Sequence, residues 1–164
     1  MRMKLLSVFA AVALLAACET APDTSASAAG SGSVQSTTAP APAGPTPGSS
    51  EDFVVNVGDR VFFAFDSSEL STESRTTLEK QAFWLRKYPQ ATVSIEGHAD
   101  ERGTREYNLA LGERRAAAAR DYLVSLGVDP SRLATISYGK ERPAVLGSNE
   151  EAWAQNRRGV TVIN

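Results

Sequence analysis

Of the 32 residues from 19 to 50, 28 are Ala, Ser, Thr, Pro or Gly, and none is aromatic. A stretch so poor in large apolar side chains buries too little surface to offset the entropy lost on ordering it, so it is expected to stay disordered. Whatever this chain of 164 residues folds into must therefore come from residues 51–164. That is room for one domain around a single core. As a flexible coil the low-complexity stretch would span about 30 Å, and fully extended on the order of 100 Å, so the domain could work well away from whatever the N-terminus holds.

Composition excludes several classes. Residues 51–164 carry nearly balanced charge, and the whole chain has a formal net charge of -2. No basic field draws in nucleic acid, and a nucleic-acid partner is not expected. One cysteine cannot form an intramolecular disulfide. No apolar run reaches the roughly 20 residues of a membrane-spanning helix, and the many strands of a porin-like barrel are missing.

The N-terminus reads as an address. Arg2 and Lys4 precede the apolar run Leu5–Ala17, broken only by Ser7, which suits a signal-peptide core. The run closes with Leu15-Ala16-Ala17-Cys18, small residues just ahead of the single cysteine. This resembles a bacterial lipobox, in which the cysteine thiol takes a diacylglyceryl group and cleavage makes that cysteine the new N-terminus. Two or more acyl chains hold a protein stably on a membrane, where one does not. The expected organisation is a signal peptide over 1–17, a lipidated Cys18 and tether over 18–50, and a domain over 51–164.

Within the domain, Arg60–Phe65 is rich in β-branched and aromatic residues and reads as a strand. Ser71 is a good N-cap, with Glu73 in the first turn and Leu78, Ala82, Leu85 and Tyr88 at helical spacing before Pro89. Thr92–Glu96 alternates as a strand does. A polar loop, Gly97–Thr104, leads to a long helix over about Arg105–Leu126, closed by Gly127. A strand over Leu133–Tyr138, a short helix over Glu150–Gln155 and a strand over Val160–Ile163 complete the chain. The fold class expected is α+β: a two-layer α/β sandwich in βαβαβαβ order, with a small mixed sheet and helices on one face.

The long helix carries the functional signal. With 100° per residue, Leu111, Gly112, Ala116, Ala119, Tyr122, Leu123 and Leu126 gather on one face, and Glu106, Glu113, Arg114, Arg120 and Asp121 lie opposite. Two polar residues, Asn108 and Arg115, sit on the axis of the apolar face. A guanidinium aimed at a core needs acceptors, or it costs several kcal/mol. Both residues lie beside the loop Gly97-His98-Ala99-Asp100-Glu101-Arg102-Gly103. Two readings follow. Arg115 forms a structural ion pair with Asp100 or Asp66, or Asp100 and Arg115 face a shared zwitterion, the carboxylate taking an ammonium and the guanidinium a carboxylate.

Several segments in order are then recognisable: Phe65-Asp66, Glu96 through Gly103, Tyr107-Asn108, Leu111 through Ala116, Ser137 through Pro143, and Asn156-Arg157-Arg158. Together they resemble the family of OmpA C-terminal-like domains over about residues 58–164, in its lipid-anchored, cell-wall-binding branch. The resemblance implies binding of peptidoglycan through the diaminopimelate of its stem peptide. Asp100 would take the ligand ammonium and Arg115 its carboxylate. Asn108 and Leu111 would line the pocket, while Asp66 and Arg158 would stand at its rim or behind it. Many family members carry Ser where this chain has Gly112. The resemblance further implies TolB and other Tol proteins as partners, with TolB and peptidoglycan competing. It also implies outer-membrane placement, consistent with Glu19 rather than Asp after the cysteine, and a role in envelope integrity and cell division.

No cofactor is expected. His98-x-Asp100-Glu101 falls short of usual metal ligand sets, and His98 is read instead as fixing the loop by hydrogen bonding. A nucleophilic triad finds no activated serine or cysteine, and carboxylate pairs arise too freely by chance to argue for a glycosidase. A motor stator would need a membrane-spanning helix with an ionisable residue. Another cell-wall lipoprotein of the same domain type remains an alternative. The expectation is a non-enzymatic staple between a membrane and the wall.

Overall fold

The computed structural model describes residues 44–164; Cys18, the signal sequence and most of the tether lie outside the described residues. A short helix α1 (Ser50–Asp52) runs into a π-helical turn (Phe53–Val57). Then come β1 (Arg60–Phe62), α2 (Thr72–Lys87), β2 (Val93–His98), α3 (Arg105–Ser125), a 3-10 turn (Pro130–Arg132), β3 (Leu133–Gly139), α4 (Glu150–Asn156) and β4 (Arg158–Ile163). The sheet order is β1-β4-β2-β3. β4 is antiparallel to both β1 and β2, and β2 is parallel to β3. The fold is the expected α+β sandwich with a mixed sheet.

Local chemistry explains the boundaries. Ser71 accepts the Ser74 amide at 3.2 Å to open α2, and the pre-proline residue Tyr88 closes it. Gly127 ends α3 in the left-handed conformation. Arg132 stitches the far end of α2 to the sheet, donating to the carbonyls of Leu85, Tyr88 and Ala91.

Helical residues precede β1, where none was expected. Ser49 caps α1 by accepting the Asp52 amide, and Asp52 Oδ2 accepts from Trp84 Nε1 at 2.8 Å. Phe53 packs edge-on against Trp84 in the core. These ties are long-range, so no local pattern announces them. Gly48 also donates to Asp52, so the folded part takes in residues just ahead of 51.

The first strand ends at Phe62 rather than Phe65. Phe63 still donates to the Arg157 carbonyl, but the chain then bends through Asp66, which adopts a positive φ of 52°. The carbonyls of Ala64 and Ser67 turn away from the sheet onto Arg115. The core is built from Phe53, Val61, Phe63, Leu78, Leu85 and Ile95 against Ala116, Ala119 and Leu123 of α3.

Candidate functional site

The loop from Ala99 to Thr104 joins β2 to α3 and is fastened at both ends. A register shift at Gly97/His98, where Tyr138 bulges from the ladder, ends the β2–β3 pairing. Asp100 Oδ1 accepts the Arg102 amide at 3.2 Å, forming a tight turn. Thr104 caps α3 by accepting the Tyr107 amide. Asn108 donates from Nδ2 to the Arg102 carbonyl at 2.8 Å, and Lys140 Nζ donates to the Gly103 carbonyl at 2.7 Å.

Between this loop, α3 and the β1–α2 connection lies a cavity of about 160 Å³ lined by Phe65, Asp66, Asp100, Arg102, Gly103, Tyr107, Asn108 and Leu111. Four of the expected site residues, Asp66, Asp100, Asn108 and Leu111, are thus brought together. Larger grooves elsewhere, including one between α2 and Pro47, hold none of them.

Asp100 is 4 % exposed. Its Oδ2 accepts from Arg102 Nη2 at 2.6 Å and from Arg157 Nη1 at 3.4 Å. Burial pushes its carboxyl up, but hydrogen bonds and charge from Arg102, with Arg157 behind, outweigh burial and hold it below its ordinary range. Asp66, at the opposite wall, accepts from the Tyr107 hydroxyl.

Arg115 is placed differently from the expectation. It is fully buried and lies behind the cavity rather than on it. Nε donates to Ser67 O at 2.8 Å, Nη1 to His98 O at 2.8 Å and Nη2 to Ala64 O at 3.1 Å. Neither expected ion pair, with Asp100 or with Asp66, closes directly. Backbone carbonyls serve because two bent segments converge where α3 passes. Burial lowers the Arg115 pKa to about 10, Arg157 adds to the effect and Asp100 and Asp66 oppose it. The group stays charged at neutral pH.

Arg158 is not among the residues that line the cavity. Its guanidinium donates to the carbonyls of Asn156 and Arg142 at 3.4 and 3.1 Å. Its neighbour Arg157 takes the place expected of it, bonding Asp100, Phe63 O and Glu150. Successive side chains at the start of a strand point opposite ways, so one residue decides which arginine faces the site.

His98 is a correction. Its ring is buried against Tyr138, and neither ring nitrogen has a hydrogen-bond partner among the described residues. The loop is held through the His98 carbonyl, on Arg115. Burial first, then the Arg158 and Arg142 charges, lowers the imidazole pKa to about 4.

Arg102, Tyr107 and Phe65 are cavity residues that sequence reasoning passed over. Arg102 Cζ lies 4.0 Å from the Phe65 ring centre and 4.1 Å from that of Trp153. The signal available was the Asp100-Glu101-Arg102 run, where an arginine two residues after the carboxylate can fold back on it.

The chain matches the OmpA family over residues 62–157. It belongs to the OmpA family. It is 63% identical over 119 residues to the peptidoglycan-associated lipoprotein of Brucella melitensis, covering 73% of this chain and 71% of that protein. It is 55% identical over 97 residues to the protein of that name from Pseudomonas aeruginosa, covering 59% of this chain and 57% of that one. Among solved structures, the peptidoglycan-associated lipoprotein of Burkholderia pseudomallei is similar with a TM-score of 0.63 and 44% identity, over 65% of this chain and 90% of that one. The C-terminal domain of Helicobacter pylori MotB, at 22% identity and TM-score 0.61 over 65% of this chain and 84% of that one, shares the fold. The expected OmpA-type fold is thus established, with the cavity inside the matched region.

Proposed function

We propose that this OmpA-family protein is a non-enzymatic outer-membrane lipoprotein whose domain binds peptidoglycan non-covalently through the diaminopimelate of the stem peptide. The observation that carries this reading is the charge make-up of the cavity. Its charged lining is two carboxylates, Asp66 and Asp100, and one guanidinium, Arg102, with Arg157 bonded to Asp100 at 3.4 Å and Arg115 buried behind. A cavity that presents both signs of charge favours a ligand that itself carries both, and the free end of diaminopimelate carries an ammonium and a carboxylate on one carbon. The similarity to proteins named peptidoglycan-associated lipoprotein supports the same reading.

In this reading Asp100 takes the ammonium. Asn108 holds the loop that carries Asp100, and Leu111 floors the cavity. Arg115 acts from behind, fixing the Ala64–Ser67 bend and the His98 carbonyl, and lends positive potential to the end that receives the carboxylate. Acyl chains on Cys18 anchor the protein, the low-complexity stretch crosses the gap, and the domain clamps the wall reversibly. TolB and other Tol proteins are the proposed protein partners, in envelope integrity and cell division.

Calorimetric titration of the protein with a diaminopimelate-containing stem peptide tests the reading, with a lysine-containing peptide as control. Binding of the first that is lost in Asp100→Ala supports it. No binding to either by the folded protein overturns it. Time-dependent release of fragments from the peptide would point to an enzyme instead.

A further inference from the structure

We propose that the outer edge of β3 binds an extended strand of a partner protein, one that turns an apolar residue flanked by basic residues towards α3. β3 ends the sheet: it pairs with β2 on one side, and among the described residues no strand pairs with its other side. Asn164 donates to the Thr92 carbonyl, so the even-numbered residues of β2 bond to β4 and the odd-numbered ones to β3. Ile95, opposite Thr135, therefore bonds to Ala134 and Ile136. The main-chain N–H and C=O groups of Thr135 and Ser137 turn outward. Proteins ordinarily blunt such an edge with charged residues or proline, and Leu133–Gly139 contains neither.

A groove between this edge and α3 selects the occupant. It presents two exposed apolar side chains, Leu109 at 44% and Ile136 at 41% exposure, and its charged lining residues are Glu106 and Glu113. Glu113 is held at the edge by the Thr135 hydroxyl, which donates to it at 3.0 Å. A strand laid against Thr135 and Ser137 would gain main-chain bonds and alternate its side chains between α3 and the open sheet face. Those facing α3 meet Leu109, with Glu106 and Glu113 about one helical turn to either side. An apolar residue with lysine or arginine two places before and after it matches that row. The same charges disfavour a second copy of this chain. Pairing β3 with β3 about a two-fold axis would set Glu106 and Glu113 of both copies along one seam, with no basic lining residue to answer them. The groove shares no lining residue with the cavity at the β2–α3 loop.

Fluorescence anisotropy of a labelled peptide, Thr-Lys-Thr-Leu-Thr-Lys-Thr, titrated with the full chain tests the proposal. The peptide should bind saturably, and Glu106→Lys combined with Glu113→Lys should weaken it by at least about tenfold. Glu106→Gln with Glu113→Gln, which removes the charge without reversing it, should weaken it by about threefold and serves if the lysine variant folds poorly. Two further peptides, N-methylated on one or the other alternate set of main-chain nitrogens, should part company: one loses binding and the other keeps it, because only one set faces β3. No binding of the first peptide, equal binding of the two methylated ones, or indifference to both pairs of glutamate substitutions would overturn the proposal. So would displacement by the diaminopimelate stem peptide, which would put the probe in the cavity. Sedimentation showing that the chain pairs with itself and so excludes the probe would give the edge to a second copy and overturn it as well.

Discussion

Gly97 of β2 and Gly112 of α3 meet backbone to backbone: a Cβ on Gly97 would strike the Gly112 carbonyl, and one on Gly112 would come within 2.8 Å of the Gly97 oxygen. This approach seats α3 low on the sheet. Arg115, nearly one turn further along, then reaches the carbonyl of His98, the residue after Gly97. Gly112 is here a packing requirement. Gly97→Ala should cost about 3 kcal/mol, since backbone on both sides must move. Gly112→Ser should cost less, about 1–2 kcal/mol, because its other neighbour is the Ser137 side chain, which can turn. Denaturant unfolding checks both, and an unchanged midpoint for Gly97→Ala would contradict the geometry.

Arg115→Ala should destabilise the domain by about 3–5 kcal/mol, because it empties a buried volume and strands three carbonyls. Arg115→Lys should recover only part, one ammonium being unable to span the carbonyls of Ala64, Ser67 and His98. Thermal unfolding of both variants measures this. A stable Arg115→Ala protein that merely loses ligand binding would restore the direct ligand role.

The pH dependence follows from His98. Its folded pKa of about 4 lies below the ordinary 6.5, so folding favours the neutral ring. The stability this represents is complete above 6.5 and is lost as pH falls from there towards 4, amounting to at most about 3 kcal/mol. Asp100 acts at lower pH, because its carboxyl is held below the ordinary 3.8 and its contribution disappears only as it becomes protonated. Urea unfolding between pH 7.5 and 4 should show a steep loss that His98→Gln removes. The same slope in the variant would exclude the histidine.

At the cavity, Asn108→Ala leaves the Arg102 carbonyl unpaired and frees the loop. It should cost about 1–3 kcal/mol and weaken the diaminopimelate peptide by about tenfold. Asp100→Asn keeps the shape of the side chain but removes the charge facing Arg102 and Arg157. It should abolish peptide binding while leaving the circular dichroism of the domain unchanged. Titration and spectra of the two proteins read these outcomes directly.

Much of the architecture was legible because its causes are local. Ser71, Pro89, Thr104 and Gly127 mark helix ends through capping and φ restrictions, and the stripe on α3 named its buried face, Asn108 and Arg115 included. The helical turn over Ser50–Val57 was not legible, since it is held by Trp84 more than thirty residues away. Nor was the choice between Arg157 and Arg158, which turns on where β4 begins.

The chemistry of the site divides in the same way. Sequence alone determined that Asn108 and Arg115, two helical turns apart, share the buried face of α3 beside the loop that carries Asp100. Tertiary structure decided which of them faces the cavity. The guanidinium that reaches carbonyls from two bent segments became part of the framework, and the one that folded back onto Asp100 took a place in the cavity lining. Desolvation drives that division: a buried arginine must satisfy its donors inside the protein, whereas a half-exposed one need not.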